Sequence, residues 1–447
     1  MQAEADEKFE KMTKEPVEKL ICFLAVPTII GMLITTIYNT ADTYFVGKIS
    51  TTAIAAVGVV YSFMSIVQAF GFLYGHGSGN YMSKVLGERK RNEAENMAGM
   101  GLIFSLCTGV IIAVITFIFA DQTAMILGGN ENIKNDVVSY LRMIALGIPF
   151  IMAGLTLNNQ FRFQGNALYG MMGIALGGVL NIILDPVFIF GFNLGVMGAG
   201  LSTSLSQFIS FIFLLYLDKR CGNVKHKIRG IKYSAKLIKL LYFGGMPNFA
   251  RQAIASVAVI LLNNAAIAYG ETAVASFTVV NRITMLVGAS MIGFGQGFQP
   301  VCGYNYGAKL YARVKKAYSF SVKISTIFFL VMTVLCFQLA GNIIGAFSSD
   351  SAVISLGSTI LKYQCISVSL MGWIIMSGML LQNIGLFKQA VIVSAARQGI
   401  FFLPLILILP YFFGLYGIIL VQPLSDIGTF LISLPMGIKA IRNLSGV

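Results

Sequence analysis

The sequence has few charged residues for its length. Asp, Glu, Lys and Arg make up 11% of its 447 residues, against roughly 25% in an ordinary soluble domain. These figures exclude a soluble globular enzyme, a disordered chain and a nucleic-acid-binding domain. The net charge of +14 therefore does not indicate a nucleic-acid partner, because the basic residues lie in loops between apolar runs.

The sequence also lacks the short motifs of metal sites and hydrolases. Its six cysteines form no C-x-x-C pair, and most lie inside apolar runs, so we interpret them as small hydrophobic residues. Neither H-E-x-x-H nor G-x-S-x-G occurs, so we expect no enzyme activity. The cysteines are Cys22, Cys107, Cys221, Cys302, Cys336 and Cys365.

Apolar residues, in contrast, make up 56% of the chain. A membrane helix needs roughly 20 predominantly apolar residues, and the apolar runs are separated by polar or glycine-rich breaks. They predict an all-α polytopic membrane protein with twelve transmembrane helices. The predicted spans are 20–47, 52–83, 95–120, 137–160, 167–191, 197–217, 237–268, 273–302, 315–341, 353–382, 388–412 and 417–438.

The basic residues are unevenly divided between the two sides of these spans. Most of the 32 Lys and Arg residues lie in segments on the same side as the N-terminus, and the segments on the other side hold only Lys48 and Lys134. Short basic loops face the cytoplasm. The distribution predicts a multi-pass membrane protein with both termini in the cytoplasm. We expect the membrane to be a bacterial or archaeal plasma membrane.

The second half of the chain repeats the first at a constant offset. Pro27 aligns with Pro247, and Gly77 with Gly297. Each half has six spans, so both enter the membrane in the same direction, related by a pseudo-twofold axis along the membrane normal. We predict an N-lobe at 1–217 (helices 1–6), a basic cytoplasmic linker at 218–236 and a C-lobe at 237–447 (helices 7–12). Two similar lobes around a cavity favour an alternating-access transporter.

Two carboxylates interrupt the apolar spans of the first half, Asp42 and Asp185. An ionisable group there costs roughly 2.5–3.5 kcal/mol and is a functional candidate by default. Counting residues along the helices from the ends of the spans places both carboxylates and Thr203 at a similar depth. Asn181 precedes Asp185 by one turn. These oxygen donors suit a sodium ion or a proton shared between carboxylates; alternatively, each carboxylate is satisfied locally at a helix end.

Other polar residues in the spans are weaker candidates. Asn39 lies one turn before Asp42 on the same helix, and Arg282 could face the central cavity and pair with a carboxylate. Asp426 is a carboxylate in a span of the second half. We expect Lys362 and Arg397 either to contribute charge to the cavity or to extend along their spans to the membrane surface.

Pro27 is a candidate hinge, because a kink in the first span would move Asp42. The aligned Pro247 leaves open a purely architectural role for both prolines. We expect no organic cofactor, only a coupling ion.

Several runs of sequence resemble the multidrug and toxic compound extrusion (MATE) transporters. The resemblance covers nearly the whole chain, and its motifs are specific in combination. The runs are PTIIGML at 27–33, YNTADTYFVG at 38–47, LNIILDP at 180–186, GVMGAGLST at 195–203 and QPVCGYNYGA at 299–308.

The resemblance implies the residues of a cation site in the N-lobe. In the family an Asp of the first helix, an Asn and an Asp of the fifth and a Thr of the sixth form this site. The matching positions are Asp42, Asn181, Asp185 and Thr203, and a further Asn late in the fourth helix matches Asn158. The NorM-like branch has acidic residues in helices seven and ten, where this chain has Arg and Lys. The resemblance therefore favours the DinF-like or MepA-like branch.

The resemblance also implies a function. We expect a cation-coupled (H⁺ or Na⁺) multidrug antiporter that exports amphipathic organic cations by alternating access. It would act as a monomer among membrane lipids. The alternative is a lipid-linked oligosaccharide flippase of the same superfamily, whose cavity would be cationic. Arg251 and Arg282 favour the flippase, whereas Asp42 and Asp185 oppose it.

Overall fold

The computed structural model describes residues 2–128, 131–221, 224–226 and 230–444. Within these ranges every regular element is a helix. The predicted linker at 218–236 includes 222–223 and 227–229, which lie outside the described residues.

The first half of the chain contains six long helices, and we refer to them as the N-lobe. A polar helix that the sequence did not predict, α1, precedes them, and the short helix α5 follows the third span. A π-helical turn, Val187–Gly191, extends α7. The helices are α1 (Gln2–Lys14), α2 (Val17–Gly47), α3 (Thr51–Gly87), α4 (Arg91–Ile118), α5 (Ala120–Ile126), α6 (Lys134–Phe163), α7 (Ala167–Pro186) and α8 (Gly195–Cys221).

The second half, the C-lobe, repeats this order with two irregular spans. One span consists of α13 and α14, which meet at an angle of 51°. The last two spans form a single helical run, and the π-helical turn Ala396–Phe401 joins α15 to α16 within the first of these two spans. The helices are α9 (Ala235–Ile267), α10 (Glu271–Gly307), α11 (Tyr311–Gln338), α12 (Ala340–Gly345), α13 (Ser351–Val368), α14 (Met371–Asn383), α15 (Phe387–Ala395) and α16 (Phe402–Asn443).

The run from α15 to the end of α16 contains two spans. It is 57 residues long, or about 85 Å at helical rise, against a hydrocarbon core of roughly 30 Å. Gly414 inside it has non-helical angles, with φ 56°, and Gly417 lies against the carbonyl group of Leu409. The chain therefore turns back at Gly414, and the described residues contain the twelve spans that the sequence predicts.

Backbone angles show that the sequence repeat is a structural repeat. Arg89 and Lys309, which are equivalent positions of the repeat, both have φ 60°. Gly165 and Gly385, at the same spacing, have φ 80° and 86°. Residues with side chains rarely adopt this left-handed region, so its recurrence at equivalent turns is specific to the fold.

Both ends of the chain lie at one face of the molecule. Met12 and Val17 belong to the same apolar cluster as Ala440 and Leu444. We call this side the terminal face and the other side the opposite face. An even number of spans brings the chain back to the side on which it started.

The helix surfaces follow the inside-out pattern of a membrane protein. On α4, Ile111 and Ile118 are 59% and 63% exposed, whereas the small residues Ala98, Gly101 and Ser105 are buried. Without a hydrophobic driving force between helices in lipid, small residues let the helices approach closely.

The lobes touch through glycines of α3 and α9 near the terminal face. A Cβ atom on Gly77 would lie closer than 3.0 Å to the carbonyl group of Leu241, and one on Gly245 would overlap that of Leu73. Only glycine allows the two backbones to approach so closely.

The repeat places an equivalent crossing between α10 and α2. Gly297 lies against the backbone of Ala25, and Gly293 against that of Ile29. These positions are the repeat equivalents of those at the first crossing, with the lobes exchanged. The two crossings are therefore related by the predicted pseudo-twofold axis.

Among the described residues, the hydrogen bonds, ring contacts and close glycine contacts between the lobes all lie between the terminal face and the middle of the molecule. The centroids of the Phe70 and Phe249 rings lie 4.9 Å apart. This contact is at the end of the α3–α9 crossing that is nearer the opposite face. At the other crossing, the Thr28 hydroxyl donates to the Gly293 carbonyl (2.7 Å). The cleft between the lobes therefore opens toward the opposite face.

Helix α1 bridges both lobes across the terminal face. The Lys8 ammonium donates to the Gly165 carbonyl and to the Asn166 side chain of the N-lobe, both at 2.7 Å. The Asn305 side chain of the C-lobe donates to the Met12 carbonyl (3.1 Å). These contacts connect the lobes when this face is closed.

Candidate cation-coupling site

Two carboxyl groups meet in the N-lobe, in its half nearer the opposite face. Asp42 lies near the end of α2, and Asp185 near the end of α7. Their carboxyl groups lie within hydrogen-bond reach of each other. Asp185 is fully buried, and one oxygen of each, Asp42 Oδ1 and Asp185 Oδ2, is buried without a donor among the described residues. Ionised carboxylates only accept, so this contact requires a proton or another cation between them.

Close packing of α2 on α7 brings the two carboxylates together. A Cβ atom on Gly178 would lie 3.0 Å from the Tyr38 ring and 3.2 Å from Ile34. Both helices run from the terminal face toward the opposite face, so the residues one to two turns further along also face each other. Those residues are Asp42 and Asp185.

The Asn181 amide connects Asp185 to α8. Its Nδ2 lies 3.2 Å from Asp185 Oδ1 and 3.3 Å from the hydroxyl oxygens of both Ser202 and Thr203. The amide has only two N–H groups, so these three acceptors share them. The structure thus brings together the four predicted residues Asp42, Asn181, Asp185 and Thr203.

Two further residues complete the site, and the sequence did not single them out. The Ser202 hydroxyl donates to the backbone carbonyl of Asn181 (3.3 Å). The Tyr140 hydroxyl is hydrogen-bonded to Thr203 and lies within electrostatic reach of both carboxylates. Ser202 adjoins Thr203 in the sequence, and Tyr140 lies about 9 Å into α6. Estimating the depth of each hydroxyl residue from its position in its helix could therefore have found both.

The backbone is irregular just beyond Asp185. Pro186 has no N–H group, and the π-helical turn Val187–Gly191 follows it, with the Phe192 amide donating to the Val187 carbonyl (2.9 Å). π-Helical turns frequently occur at functional sites. This irregularity ends the regular part of α7 at the carboxylate.

The donor set of the site consists of two carboxylates and neutral oxygens. Across the described part of the chain, no group of three or more His, Cys, Asp or Glu side chains is placed to hold a metal ion. Hard oxygen donors without thiolate or imidazole suit a proton or an alkali cation better than a transition metal.

The two other predicted asparagines, Asn39 and Asn158, lie at different distances from this site. Asn39 is half-buried one turn before Asp42, and its backbone carbonyl accepts a hydrogen bond from the Thr43 hydroxyl (2.9 Å). Asn158 packs against Gly170 near the terminal end of α6. It lies five helical turns beyond Tyr140, or about 27 Å along the helix, so the structure does not bring Asn158 to the carboxylate pair.

Asp426 is a different kind of buried carboxylate. Its Oδ1 accepts from Arg397 Nε (2.7 Å) and from the Gln422 side chain (2.8 Å), and its Oδ2 accepts from the Ser367 hydroxyl (2.8 Å). Both oxygens therefore have donors, and Arg397 compensates the charge. The C-lobe carboxylate needs no further cation.

Arg282 lies on the side of α10 that faces the cleft. It is exposed and precedes Gly293 by three helical turns on one helix face. Gly293 contacts Ile29 of the N-lobe, so this face points toward the other lobe.

Pro27 lies in the helix segment at which the lobes meet. Helix α2 continues through it from Val17 to Gly47. Its neighbours Ala25, Thr28 and Ile29 contact α10. Because proline leaves one helical carbonyl without its usual donor, the helix can bend here, which is the position that the hinge hypothesis requires.

Comparison with known proteins identifies the family. The MatE family model matches residues 27–187 and again residues 247–408. The chain belongs to the MatE family. The two matches begin at Pro27 and Pro247, which are aligned positions of the sequence repeat.

Curated relatives of this MATE transporter cover almost its whole length. It is 28% identical over 416 residues to the multidrug export protein MepA of Staphylococcus aureus (strain N315), covering 93% of this chain and 92% of that protein. The MepA protein of Staphylococcus haemolyticus (strain JCSC1435) is 29% identical over 417 residues, with the same coverage. These relatives confirm the predicted MepA-like branch.

Solved structures agree with the fold. A multidrug resistance MATE family transporter in an outward-facing conformation aligns with a TM-score of 0.91 at 26% identity, covering 97% of this chain and 98% of the other. A superfamily transporter from Pyrococcus furiosus, described as having a binding pocket of reverse polarity, aligns with the same TM-score, identity and coverage. The chain is therefore a membrane transporter and not an enzyme, with the predicted twelve helices in two lobes.

Proposed function

We propose that this transporter exports amphipathic organic cations in exchange for a coupling cation, H⁺ or Na⁺, bound at the Asp42–Asp185 pair. The observation that carries the proposal is the contact between these two buried carboxyl groups. Without a positive charge between them, the pair is unstable in a low dielectric. The coupling ion and a cationic cargo both supply that charge, so binding of one favours release of the other.

The basic loops support the direction of transport. They favour a cytoplasmic terminal face in a bacterial or archaeal plasma membrane, so the cleft described here opens to the outside. In this state the coupling ion enters from outside and displaces the cargo from the pair. The neutralised pair can then be enclosed without the cost of burying a charge, which allows the lobes to return.

Two further points support the proposal in finer detail. The names of the MepA relatives favour a broad range of drug cargo. Contact of two carboxyl groups at hydrogen-bond reach is the geometry of a shared proton, which favours H⁺, whereas Na⁺ would require oxygens of Ser202 and Thr203 as ligands. We propose that the protein acts as a monomer among lipids.

The first test replaces each carboxylate by its amide. Asp42→Asn and Asp185→Asn each remove one charge and one proton-binding group, so either change alone should reduce coupled transport to background. The double variant should be no worse than either single variant, because one site is destroyed once. The measurement is uptake of a fluorescent organic cation into everted membrane vesicles under an imposed pH or Na⁺ gradient.

Thermal unfolding and a matched variant control this test. Asp42→Asn and Asp185→Asn should unfold no earlier than the wild type, because they remove buried charge. Leu262→Ile, at the repeat equivalent of Asp42, should transport normally. Near-normal transport by either Asn variant at equal expression would refute coupling at this pair.

A further inference from the structure

Three guanidinium groups lie on the terminal side of the coupling site. They are Arg162 of the N-lobe, and Arg251 and Arg397 of the C-lobe. Arg251 lies within electrostatic reach of both of the others. Arg397 is paired with Asp426. Among the described residues, Arg162 and Arg251 have no carboxylate partner.

Arg162 is surrounded by neutral acceptors. It is 2% exposed, and it donates to His76 Nε2 (3.1 Å) and Gln299 Oε1 (3.3 Å). His76 is fixed as the neutral tautomer with hydrogen on Nδ1, because Nδ1 lies 3.2 Å from the Phe72 carbonyl, which can only accept. The Arg162 charge is therefore not neutralised in the closed terminal face.

Arg251 is half-buried in α9, one turn beyond the residues that close the lobe interface. It donates to Asn248 Oδ1 (3.0 Å), and the Asn248 amide in turn donates to Gln382 Oε1 (3.1 Å). This chain of amides orients the Arg251 guanidinium without neutralising it. An enclosed positive charge without a partner is unfavourable and binds an anion readily, often in a bidentate geometry.

The two lobes thus differ in the sign of the charge that lacks a partner. In the N-lobe, Asp42 and Asp185 lack a basic partner among the described residues, and in the C-lobe Arg251 lacks an acidic one. The repeat equivalent of Arg251 is Gly31, three helical turns before Asp42, so Arg251 lies about 16 Å nearer the terminal face. A molecule entering from that face meets Arg251 before it reaches the carboxylates.

We infer that Arg251 is an entry subsite for an anionic group of the cargo. The preferred compounds then carry a carboxylate or a similar anion beside their cationic group. Arg251 binds the anion as the cargo enters from the terminal face, and Asp42 and Asp185 bind the cation at the end of the path. A purely cationic compound gains nothing at Arg251 and is repelled there. This inference rests on the proposed function and specifies its substrate class.

A pair of dyes that differ in one charge tests the inference. Rhodamine 110 carries a free carboxylate, and rhodamine 123 is its methyl ester, a simple cation. Uptake of each dye into everted vesicles is measured over a range of concentrations for the wild type, Arg251→Gln and Arg251→Lys. Lys362→Gln is the control, because Lys362 is exposed and lies over the Phe337 ring, away from the three guanidinium groups.

Arg251→Gln should raise the KM for rhodamine 110 roughly tenfold, the loss expected for one hydrogen bond to a charged group. The KM for rhodamine 123 should stay the same or fall, and the maximal rates should not change. Arg251→Lys should retain most of the preference because it keeps the charge, and Lys362→Gln should match the wild type. Undiminished transport of rhodamine 123 shows that the variants are folded.

Three results would overturn the inference. One is an equal effect of Arg251→Gln on both dyes, another is no effect on either, and the third is a wild type that transports only the ester. In all three, export of cationic dye remains and the proposed function stands. A wild type that transports neither dye would refute the proposed function together with the inference.

Discussion

At the scale of single residues, buried carboxylates occur in two electrostatic environments. Asp426 accepts hydrogen bonds at both oxygens and lies beside Arg397. Asp42 and Asp185 lie beside each other, with only neutral donors such as Asn181 around them. A compensated carboxylate has no need of an external cation, so the proposal assigns ion binding to Asp42 and Asp185 and not to Asp426.

The ion pair between Arg397 and Asp426 predicts a loss of stability when Arg397 alone is replaced and a recovery when both residues are replaced. Arg397→Gln leaves the Asp426 charge buried without its partner and should lower the free energy of unfolding by about 3 kcal/mol. The double variant Arg397→Gln with Asp426→Asn removes both charges and should recover most of that loss. Thermal unfolding of the purified variants in detergent measures both effects. Equal stability of Arg397→Gln and the wild type would show that the ion pair does not hold the C-lobe.

The sequence was sufficient to place the candidate coupling residues near one another, but not to find the partner of Arg397. Helix pitch converts position in a span into depth, so Asp42, Asp185 and Thr203 could be placed at one level without a structure. The partners of Arg397 depend on the turn at Gly414, which sets how α16 returns past α13. Asn158 was carried over by resemblance, and its position in α6 puts it far from the site.

At the scale of helices, closure of the terminal face depends on glycines at the two lobe crossings. Gly77 and Gly245 bring α3 and α9 into backbone contact, and Gly293 and Gly297 do the same for α10 and α2. These contacts hold one lobe against the other and do not build the core of either lobe. A side chain there should change the balance between states more than it changes folding.

Gly77→Ala should therefore favour the state in which the terminal face is open, since the added Cβ would overlap the Leu241 carbonyl. Spin labels at Lys90→Cys in the N-lobe and Ala312→Cys in the C-lobe report the separation at this face, and the distance between them should increase. Gly58→Ala, on the same helix with open space around it, should leave the distance unchanged. Identical distance distributions for the two variants would contradict the role of the crossing.

The spans themselves were predictable, but the irregularities in them were not. Apolar run lengths gave twelve spans because each run must cross the hydrocarbon core. The bend between α13 and α14 falls at Ser369 and Leu370, which include neither Pro nor Gly. It arises where Gly372 packs against the backbone of Thr326 on α11, a tertiary contact without a local signal.

At the scale of the whole molecule, the two lobes share one fold but differ in charge. The glycine crossings and the left-handed turns recur at equivalent positions of the repeat, as the pseudo-twofold axis requires. The carboxylate pair belongs to the N-lobe alone, and Arg251 to the C-lobe alone. The repeated positions thus build the common fold of the two lobes, and we propose that the positions that differ determine which ions and compounds are bound.

The central claim is that cargo and coupling ion compete for the Asp42–Asp185 pair. Titration of the purified transporter with an organic cation in a weakly buffered solution, followed with pH and Na⁺ electrodes, tests it most directly. The account predicts release of about one coupling ion per transporter as the cargo binds, with H⁺ favoured over Na⁺. It predicts no release from Asp42→Asn or Asp185→Asn. Saturable binding of the cargo to the wild type with release of neither ion would contradict the account.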